Sequence, residues 1–326
     1  MKRPRRKFLR LAAGTVALPV ISRFAWAQAY PARPITMIVP IAAGSSLDVV
    51  GRVIAERMTK SLGKSIIIEN VSGADGSIGL TRAARARPDG YVLSLATMST
   101  FVMNGAFYSL PYDVFNDFAP ISPLAVLPLV LVASKTMPAS DLNELIAWLK
   151  ANPNKASAGF TTVGYRLLLV VFQRETGARL TLVPYRGTPS EIQDLAAGQI
   201  DLFFDTLVEL PLVRAGIIRA YAVTSDARMA VAPDIPTFVE MGLPALSFSS
   251  WVGLFAPKGT PKDIIGKLNT ATVEALADPA VGSRLVGFGY QTVPAARQTP
   301  EALDAMVKAD AEKWWPIIKE LGIKPE

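Results

Sequence analysis

The sequence predicts an α/β protein with largely parallel sheets. Short apolar runs alternate with helical patterns along the chain beyond residue 27, the pattern of strands joined by crossover helices. Several helices carry their own start and stop signals. With 326 residues, half of them hydrophobic, the chain has ample material for one large or two medium cores. It has no cysteine, so packing alone must hold the fold.

The strand candidates, in order, are Thr36 to Val39, Ser65 to Ile68, Tyr91 to Leu95, Val126 to Ala133, Leu180 to Val183, Ile200 to Phe204, Arg219 to Val223 and Val252 to Phe255. Between the first two, a helix runs from Asp48 to Leu62, with Val50, Val53, Ile54, Met58 and Leu62 on one face and Gly63 as its stop. A second runs from Asp141 to Ala151, with Leu142, Leu145, Ile146 and Leu149 at i, i+3, i+4, i+7 before Asn152-Pro153 ends it. Thr188-Pro189-Ser190-Glu191 and Thr260-Pro261-Lys262-Asp263 each offer an N-cap, a first-turn proline and a capping-box acid. Thr299-Pro300-Glu301 is a shorter version of the same signal. The Val126 to Ala133 and Ser249 to Phe255 runs have no clear helix partner. If they link two lobes, the chain enters a second one near residue 128 and returns near 250.

The formal charge of +7 invites a nucleic-acid role, until the charges are located. Met1 to Ala27 contain Lys2, Arg3, Arg5, Arg6, Lys7, Arg10 and Arg23 and no acid, which leaves 27 cations against 27 acids in the rest. A body without basic excess cannot neutralise a phosphate backbone. The same first residues have the parts of an export signal: a cationic start, an apolar segment from Leu11 to Ile21, and Ala25-Trp26-Ala27 as a cleavage site. That apolar segment contains Pro19 and is too short to span a bilayer, which takes about 20 residues. Pro4-Arg5-Arg6-Lys7-Phe8-Leu9-Arg10 resembles a twin-arginine motif, with proline where serine or threonine is usual; a Sec signal with two arginines is the alternative. Cleavage after Ala27 and a periplasmic location are expected. The longest later apolar run, Ile121 to Ala133, is broken by Pro123 and Pro128.

There is also no histidine. That removes the commonest general base and the nitrogen ligands of zinc and copper sites, and no G-x-S-x-G is present. Neither a cofactor nor a metal is expected. Ser61-Leu62-Gly63-Lys64 fits S-x-x-K but lies across a helix end without companion motifs. Gly73, Gly76 and Gly79 follow a strand at the wrong spacing for a dinucleotide fingerprint, and Pro88-Asp89-Gly90 stands where its acid should be. Asp201 and Asp205 share one strand face; acid–base work is conceivable for two close carboxylates, and capping of the next turn is the commoner role.

Two loops carry a binding signal. In Pro40-Ile41-Ala42-Ala43-Gly44-Ser45-Ser46-Leu47-Asp48, Ser45 is a candidate N-cap, and Asp48 can return a bond to the Ser45 N–H as a capping box. The free donors of that helix start make an anion site, where a charge-assisted hydrogen bond contributes roughly 1.5–3 kcal/mol and the dipole about 0.3–1 kcal/mol. An ordinary capped helix is the alternative. Farther on, Thr161-Thr162-Val163-Gly164-Tyr165-Arg166 precedes Leu167 to Phe172, a run so apolar that its helix must be buried. It repeats the same arrangement, and Arg166, unfavourable to the dipole, invites a carboxylate partner.

Ordered blocks along the whole chain resemble the solute-binding proteins of tripartite tricarboxylate transporters, the Bordetella uptake gene type of receptor. They run through Tyr30-Pro31-Ala32-Arg33-Pro34-Ile35, Glu69-Asn70, Gly73-Ala74, Pro88-Asp89-Gly90-Tyr91, Val183-Pro184-Tyr185-Arg186-Gly187, Gly198-Gln199-Ile200-Asp201, Phe204-Asp205, Pro233-Asp234-Ile235-Pro236-Thr237 and Gly242-Leu243-Pro244. The resemblance implies a type II periplasmic-binding fold whose two lobes close on a small carboxylate. Lobe 1 would comprise residues 28–127 and 251–326, and lobe 2 residues 128–250. It further implies that Ala43, Gly44, Ser45, Ser46 and Asp48, with Ser99, hold the ligand from the first lobe. Thr161, Thr162, Tyr165, Arg166 and Asp205 would hold it from the second. A monomer that delivers an organic acid to membrane permease subunits is expected. A ligand-sensing partner of a membrane signalling protein, or a periplasmic enzyme using Asp201 or Asp205, are the alternatives. Two departures bear on specificity. Gly44-Ser45-Ser46 stands where the family has two or three glycines, and Tyr165-Arg166 where it often has a histidine.

Overall fold

The computed structural model describes residues 30–185, 188–206 and 209–322. The export signal at residues 1–27 lies outside them. A single curled sheet runs through the molecule in the order β2-β1-β3-β9-β4-β7-β5-β6, with β8 and β10 also paired to β4. Its two wings are parallel. One wing is β1 (Ile35–Val39), β2 (Ile66–Asn70) and β3 (Val92–Thr97); the other is β5 (Ser157–Phe160), β6 (Thr181–Pro184) and β7 (Leu202–Thr206).

The centre departs from the parallel plan. There β4 (Phe118–Ser134), β8 (Ile218–Val223), β9 (Ser249–Pro257) and the short β10 (Gln291–Thr292) pair antiparallel. The reason lies in β4, which is nine residues longer than its apolar run because Phe118 to Ala125 and Ser134 join it. Its residues Phe118 to Pro128 pair with β9, while Leu129 to Ala133 pair with β7 and Val130 to Ser134 with β8. At the changeover Pro128 has no N–H to give, and Leu129 N–H donates to Thr224 Oγ1 at 2.8 Å. Register shifts between Pro120 and Ser122 and between Pro123 and Ala125 absorb the other prolines as bulges. This is the two-lobe type II architecture, with β4 running from β9, beside the first wing, to β7 of the second.

Helices cover both faces. Ile35, Met37 and Val39 of β1 point to one face and are buried with Leu47, Val50, Val53, Ile54 and Met58 of α1 (Ser46–Leu62), while Ile38 points to the other. Gly63 ends α1 at φ 65°, as its sequence position predicts. On the Ile38 side lie α2 (Ser77–Ala84) and α3 (Asn104–Phe107). In the second lobe, α4 (Leu142–Ala151) starts at Asp141, whose side chain accepts from the Glu144 N–H. The buried helix α5 (Val163–Thr176) presents Leu167, Leu168, Leu169, Val171 and Phe172 to the core, and α6 (Thr188–Ala196) and α7 (Leu210–Arg214) follow. The chain returns through α8 (Lys262–Leu276), α9 (Pro279–Gly287) and α10 (Pro300–Leu321).

Of the three Thr-Pro starts only Thr299 is a side-chain cap, accepting from the Ala302 N–H at 3.1 Å. Thr260 donates instead to the Pro257 carbonyl, so Pro261 precedes the helix without a side-chain cap. Thr188 is already the first helical residue. A backward bond to a nearby carbonyl competes with capping for a threonine hydroxyl, and at Thr260 it wins. The strand β5 escapes the sequence pattern because four residues including Gly159 show no usable periodicity.

Gly79 shows how tightly α2 is set against the loop after β1. A Cβ there would lie 2.6 Å from the Val71 carbonyl oxygen and 3.1 Å from Pro40 Cα, both backbone atoms. Gly79→Ala is expected to destabilise the protein by about 2 kcal/mol despite alanine's better helix propensity. The midpoint of urea unfolding measures it; an unchanged or raised midpoint would contradict the packing.

Candidate functional site

The loop after β1 is fixed by one carboxylate. Ser45 caps α1, its Oγ accepting from the Asp48 N–H at 3.3 Å. Asp48 does not complete the expected capping box with Ser45. It accepts from the N–H of Gly44, one residue earlier, at 2.9 Å, and also from Arg52 Nε and Asn70 Nδ2, each at 2.9 Å. Burial alone would raise its pKa; the bonds from Arg52, Gly44 and Asn70 overcome that and hold it below the usual value. Gly44 has φ +82° and Ser45 φ −70°. The one left-handed position therefore keeps its glycine, and the serines that follow cost no backbone strain. Ser46 Oγ meets Tyr290 Oη at 3.3 Å.

A second loop, after β2, is strained. Gly73, Ala74, Asp75 and Gly76 all have positive φ, with Ala74 at 45° and Asp75 at 50°. Such conformations cost on the order of 1–3 kcal/mol each outside glycine and persist when the surroundings hold them. Here Asn104 Nδ2 donates to the Asp75 carbonyl at 2.8 Å and Tyr108 Oη to its carboxylate at 2.6 Å. Burial, and then the bond to Asp75, push the Tyr108 hydroxyl up to about 12.

Beyond β3 the chain makes a π-helical turn, Ser99–Met103. Thr97 and Thr100 bond reciprocally at its start, the ring of Phe101 stacks on Phe255 at 4.7 Å, and Trp315 Nε1 on α10 donates to the Val102 carbonyl at 2.9 Å. Opposite it stands the start of α5. Thr162 is its cap, with Oγ1 accepting from the Tyr165 N–H at 3.3 Å. The two lobes approach closely at Gly164, where a Cβ would lie 3.2 Å from both Met103 Sδ and Ser99 Oγ.

Between these parts is a cavity of about 170 Å³, walled by Ile41, Asp75, Ser99, Thr100, Met103 and Asn104 on one side and Thr161 to Gly164 on the other. It therefore gathers Ser99, Thr161 and Thr162 of the residues anticipated from sequence. Ala43, Gly44, Ser45 and Ser46, at the α1 start, are not among its walls, and Asp48 is turned inward to its loop partners. The Arg166 guanidinium lies 5.8 Å from the Phe160 ring centroid. Tyr165 and Asp205 lie behind the α5 start, each with its pKa raised first by burial, Asp205 to about 7. Asp201 caps β5, accepting from the Ser157 N–H at 2.8 Å. Asp75, Thr100 and Asn104 were not anticipated. The run of glycines around Asp75 signals an unusual loop, but the tie between Asn104 and Asp75 spans 29 residues and leaves no local trace.

Among the described residues no Lys or Arg lines this cavity. It can offer hydroxyls, the Asn104 side chain and the first-turn N–H groups of α5, a donor-rich set suited to a small anion. Below the roughly 300 Å³ at which drug-sized pockets begin, it fits a compact molecule. A wider groove of about 720 Å³ runs along α10 on the hinge side, away from both helix starts. Among the described residues no cluster of metal-ligating side chains exists, and no helix is long and apolar enough to cross a membrane.

Comparison with known proteins places these features in a lineage. The model of the tripartite tricarboxylate transporter family receptor matches residues 50–323. Protein BugT of Bordetella pertussis is 35% identical over 319 residues, covering 96% of this chain and 95% of its own. Among solved structures, MatC from Rhodopseudomonas palustris with bound malate is 34% identical with a TM-score of 0.76, over 89% of this chain and all of that one. An R. palustris protein solved with adipate is 31% identical with a TM-score of 0.79, over 91% of this chain and all of that one.

Proposed function

Because the chain belongs to the tripartite tricarboxylate transporter receptor family, one of receptors and not enzymes, we propose that it captures a small organic acid in the cleft between its lobes and hands it to membrane permease subunits. The observation that carries this is the cavity itself: a compact space with no Lys or Arg among its described walls, where the α5 start faces Ser99, Thr100 and Asn104. Backbone N–H groups and hydroxyls there replace water around one carboxylate, and lobe closure removes the rest. Micromolar affinity requires roughly −8 kcal/mol, within reach of a few charge-assisted bonds at roughly 1.5–3 kcal/mol each. Carboxylates in two relatives, malate and adipate, support the ligand class.

The protein acts in the periplasm, reached through a leader of twin-arginine type that is cut after Ala27. Lobe 1 is taken as residues 28–127 and 251–326 and lobe 2 as 128–250, a division supported by the change of β4 partners after Pro128. The ligand set adds Asp75, Thr100 and Asn104 to Ser99, Thr161 and Thr162, with Gly44, Ser45 and Ser46 closing over the mouth.

A thermal-shift panel of mono-, di- and tricarboxylates, aromatic acids and amino acids tests this. One acid is expected to stabilise the protein without being consumed, and its carboxamide to lose that effect. Equal stabilisation by acid and amide would remove the helix-start mechanism, and turnover of the acid would remove the receptor role.

A further inference from the structure

Behind the α5 start lie two carboxyl groups that have no ion-pair partner among the described residues. Glu191 of α6 is 1% exposed and Asp205 of β7 is 2% exposed. Among the described residues neither oxygen of Glu191 has a hydrogen-bond partner, nor does Asp205 Oδ2; Asp205 Oδ1 accepts the Thr206 N–H at 2.6 Å. Glu191 occupies room that Gly159 of β5 leaves open, since a Cβ there would lie 2.6 Å from Glu191 Oε1. Among the described residues, the groups that act on the pair from the surrounding elements are Tyr165 of α5, Tyr185 after β6 and Glu209 before α7, while Tyr290 before β10 acts on Tyr165. Tyr185 is itself bonded to Asp194, at 2.6 Å. All are acids or phenols, and neither Glu191 nor Asp205 forms an ion pair among the described residues.

Two carboxylates cannot both ionise here without large cost. Each would lose its water, and each would face the other's charge. Both carboxyls act on Tyr165 in the first turn of α5, so an anion arriving at the α5 start adds a third negative charge to the same poorly screened region. We propose that Glu191 and Asp205 form a proton site coupled to the cleft, so that the protein takes up a proton as it binds its anionic ligand. The coupling rests on the receptor role above; the proton site itself does not.

The direction agrees. Burial and then the Asp205 charge push Glu191 up to about 8, and burial and then the Glu209 charge push Asp205 up to about 7. A raised acid contributes stability that is complete below its unfolded value, 4.5 for Glu191, and is lost as pH rises through the folded one. Stability should therefore fall between about pH 5 and pH 9, a decline shallower in Glu191→Gln, where the amide cannot ionise. By reciprocity, affinity for an anion falls over the upper part of that range, by at most about tenfold per pH unit.

Two measurements decide. In the ligand-free protein, carboxyl carbon NMR should show two groups titrating well above the ordinary carboxylate value of about 4, one lost in Glu191→Gln and the other in Asp205→Asn. Ordinary titration of every carboxyl overturns the proton site. Calorimetry near pH 8 with malate or adipate, in buffers of different ionisation enthalpy, should show proton uptake that disappears in Glu191→Gln. Uptake absent in the wild type, or unchanged in the variant, overturns the coupling. If no acid in the panel binds, the receptor role fails and the coupling with it, while the NMR titration still decides the proton site.

Discussion

Replacing Gly164 with leucine is expected to lower affinity for the cleft's ligand by about a hundredfold or more, while the protein remains as stable as before. The two effects separate because Gly164 lies within the first turn of α5, where any L-residue fits the backbone. Leucine in place of glycine favours the helix by up to about 1 kcal/mol. What the side chain cannot find is space. Already at Cβ it would stand 3.2 Å from Met103 Sδ and Ser99 Oγ, and the rest of leucine would extend into a cavity of only about 170 Å³. Either it fills the space of the ligand or it holds the α5 start away from the turn at Ser99–Met103. A hundredfold loss corresponds to about 2.7 kcal/mol, one or two charge-assisted bonds. Calorimetric titration with the stabilising acid, beside a melting curve, reads both. Unchanged affinity in a well-folded Gly164→Leu protein would move the ligand out of this cleft, and the groove along α10 would be the place to look.

How far the sequence foretold this site depends on whether a contact is local. Ser45 and Thr162 are legible as helix caps because a cap is written within four residues. The depth of α5 is legible in Leu167 to Phe172, since an unbroken apolar run can only be buried. The strand β4 is half legible: its apolar end stands out, but Pro120 and Pro123 conceal the beginning, and only pairing with β9 makes strand of it. Asp75 is not legible at all. Its left-handed backbone runs against residue preference and is held by Asn104 and Tyr108, which reach it from a different element. Glu191 misleads for the same reason: beside Thr188 it resembles a capping acid, and only the approach of β5 and β7 around it turns it into a buried, unpartnered carboxyl.

Asp48→Ala is expected to destabilise the protein by about 3 kcal/mol and to weaken ligand binding as well, although Asp48 does not line the cavity. Its carboxylate is the common acceptor for the Gly44 N–H, Arg52 and Asn70, and removing it strands a backbone donor and a side-chain amide together. Asn70 Nδ2 also donates to the Ile41 carbonyl at 3.1 Å, so its release frees a residue that walls the cleft. Arg52→Ala should cost far less, under about 1 kcal/mol. The Arg52 side chain is 53% exposed against 3% for Asp48, and an exposed partner contributes little. The pH dependence separates Asp48 from the Glu191 and Asp205 pair by sign. Its folded pKa is depressed, so its contribution is complete above the unfolded value of 3.8 and is lost as pH falls through the lower folded value. The Asp48→Ala protein should lose stability less steeply than the wild type in acid, while both share the decline toward alkaline pH. Denaturant midpoints from pH 2 to pH 9 measure both arms. Equal costs for Asp48→Ala and Arg52→Ala would mean that a surface ion pair, and not the buried acceptor, holds the loop.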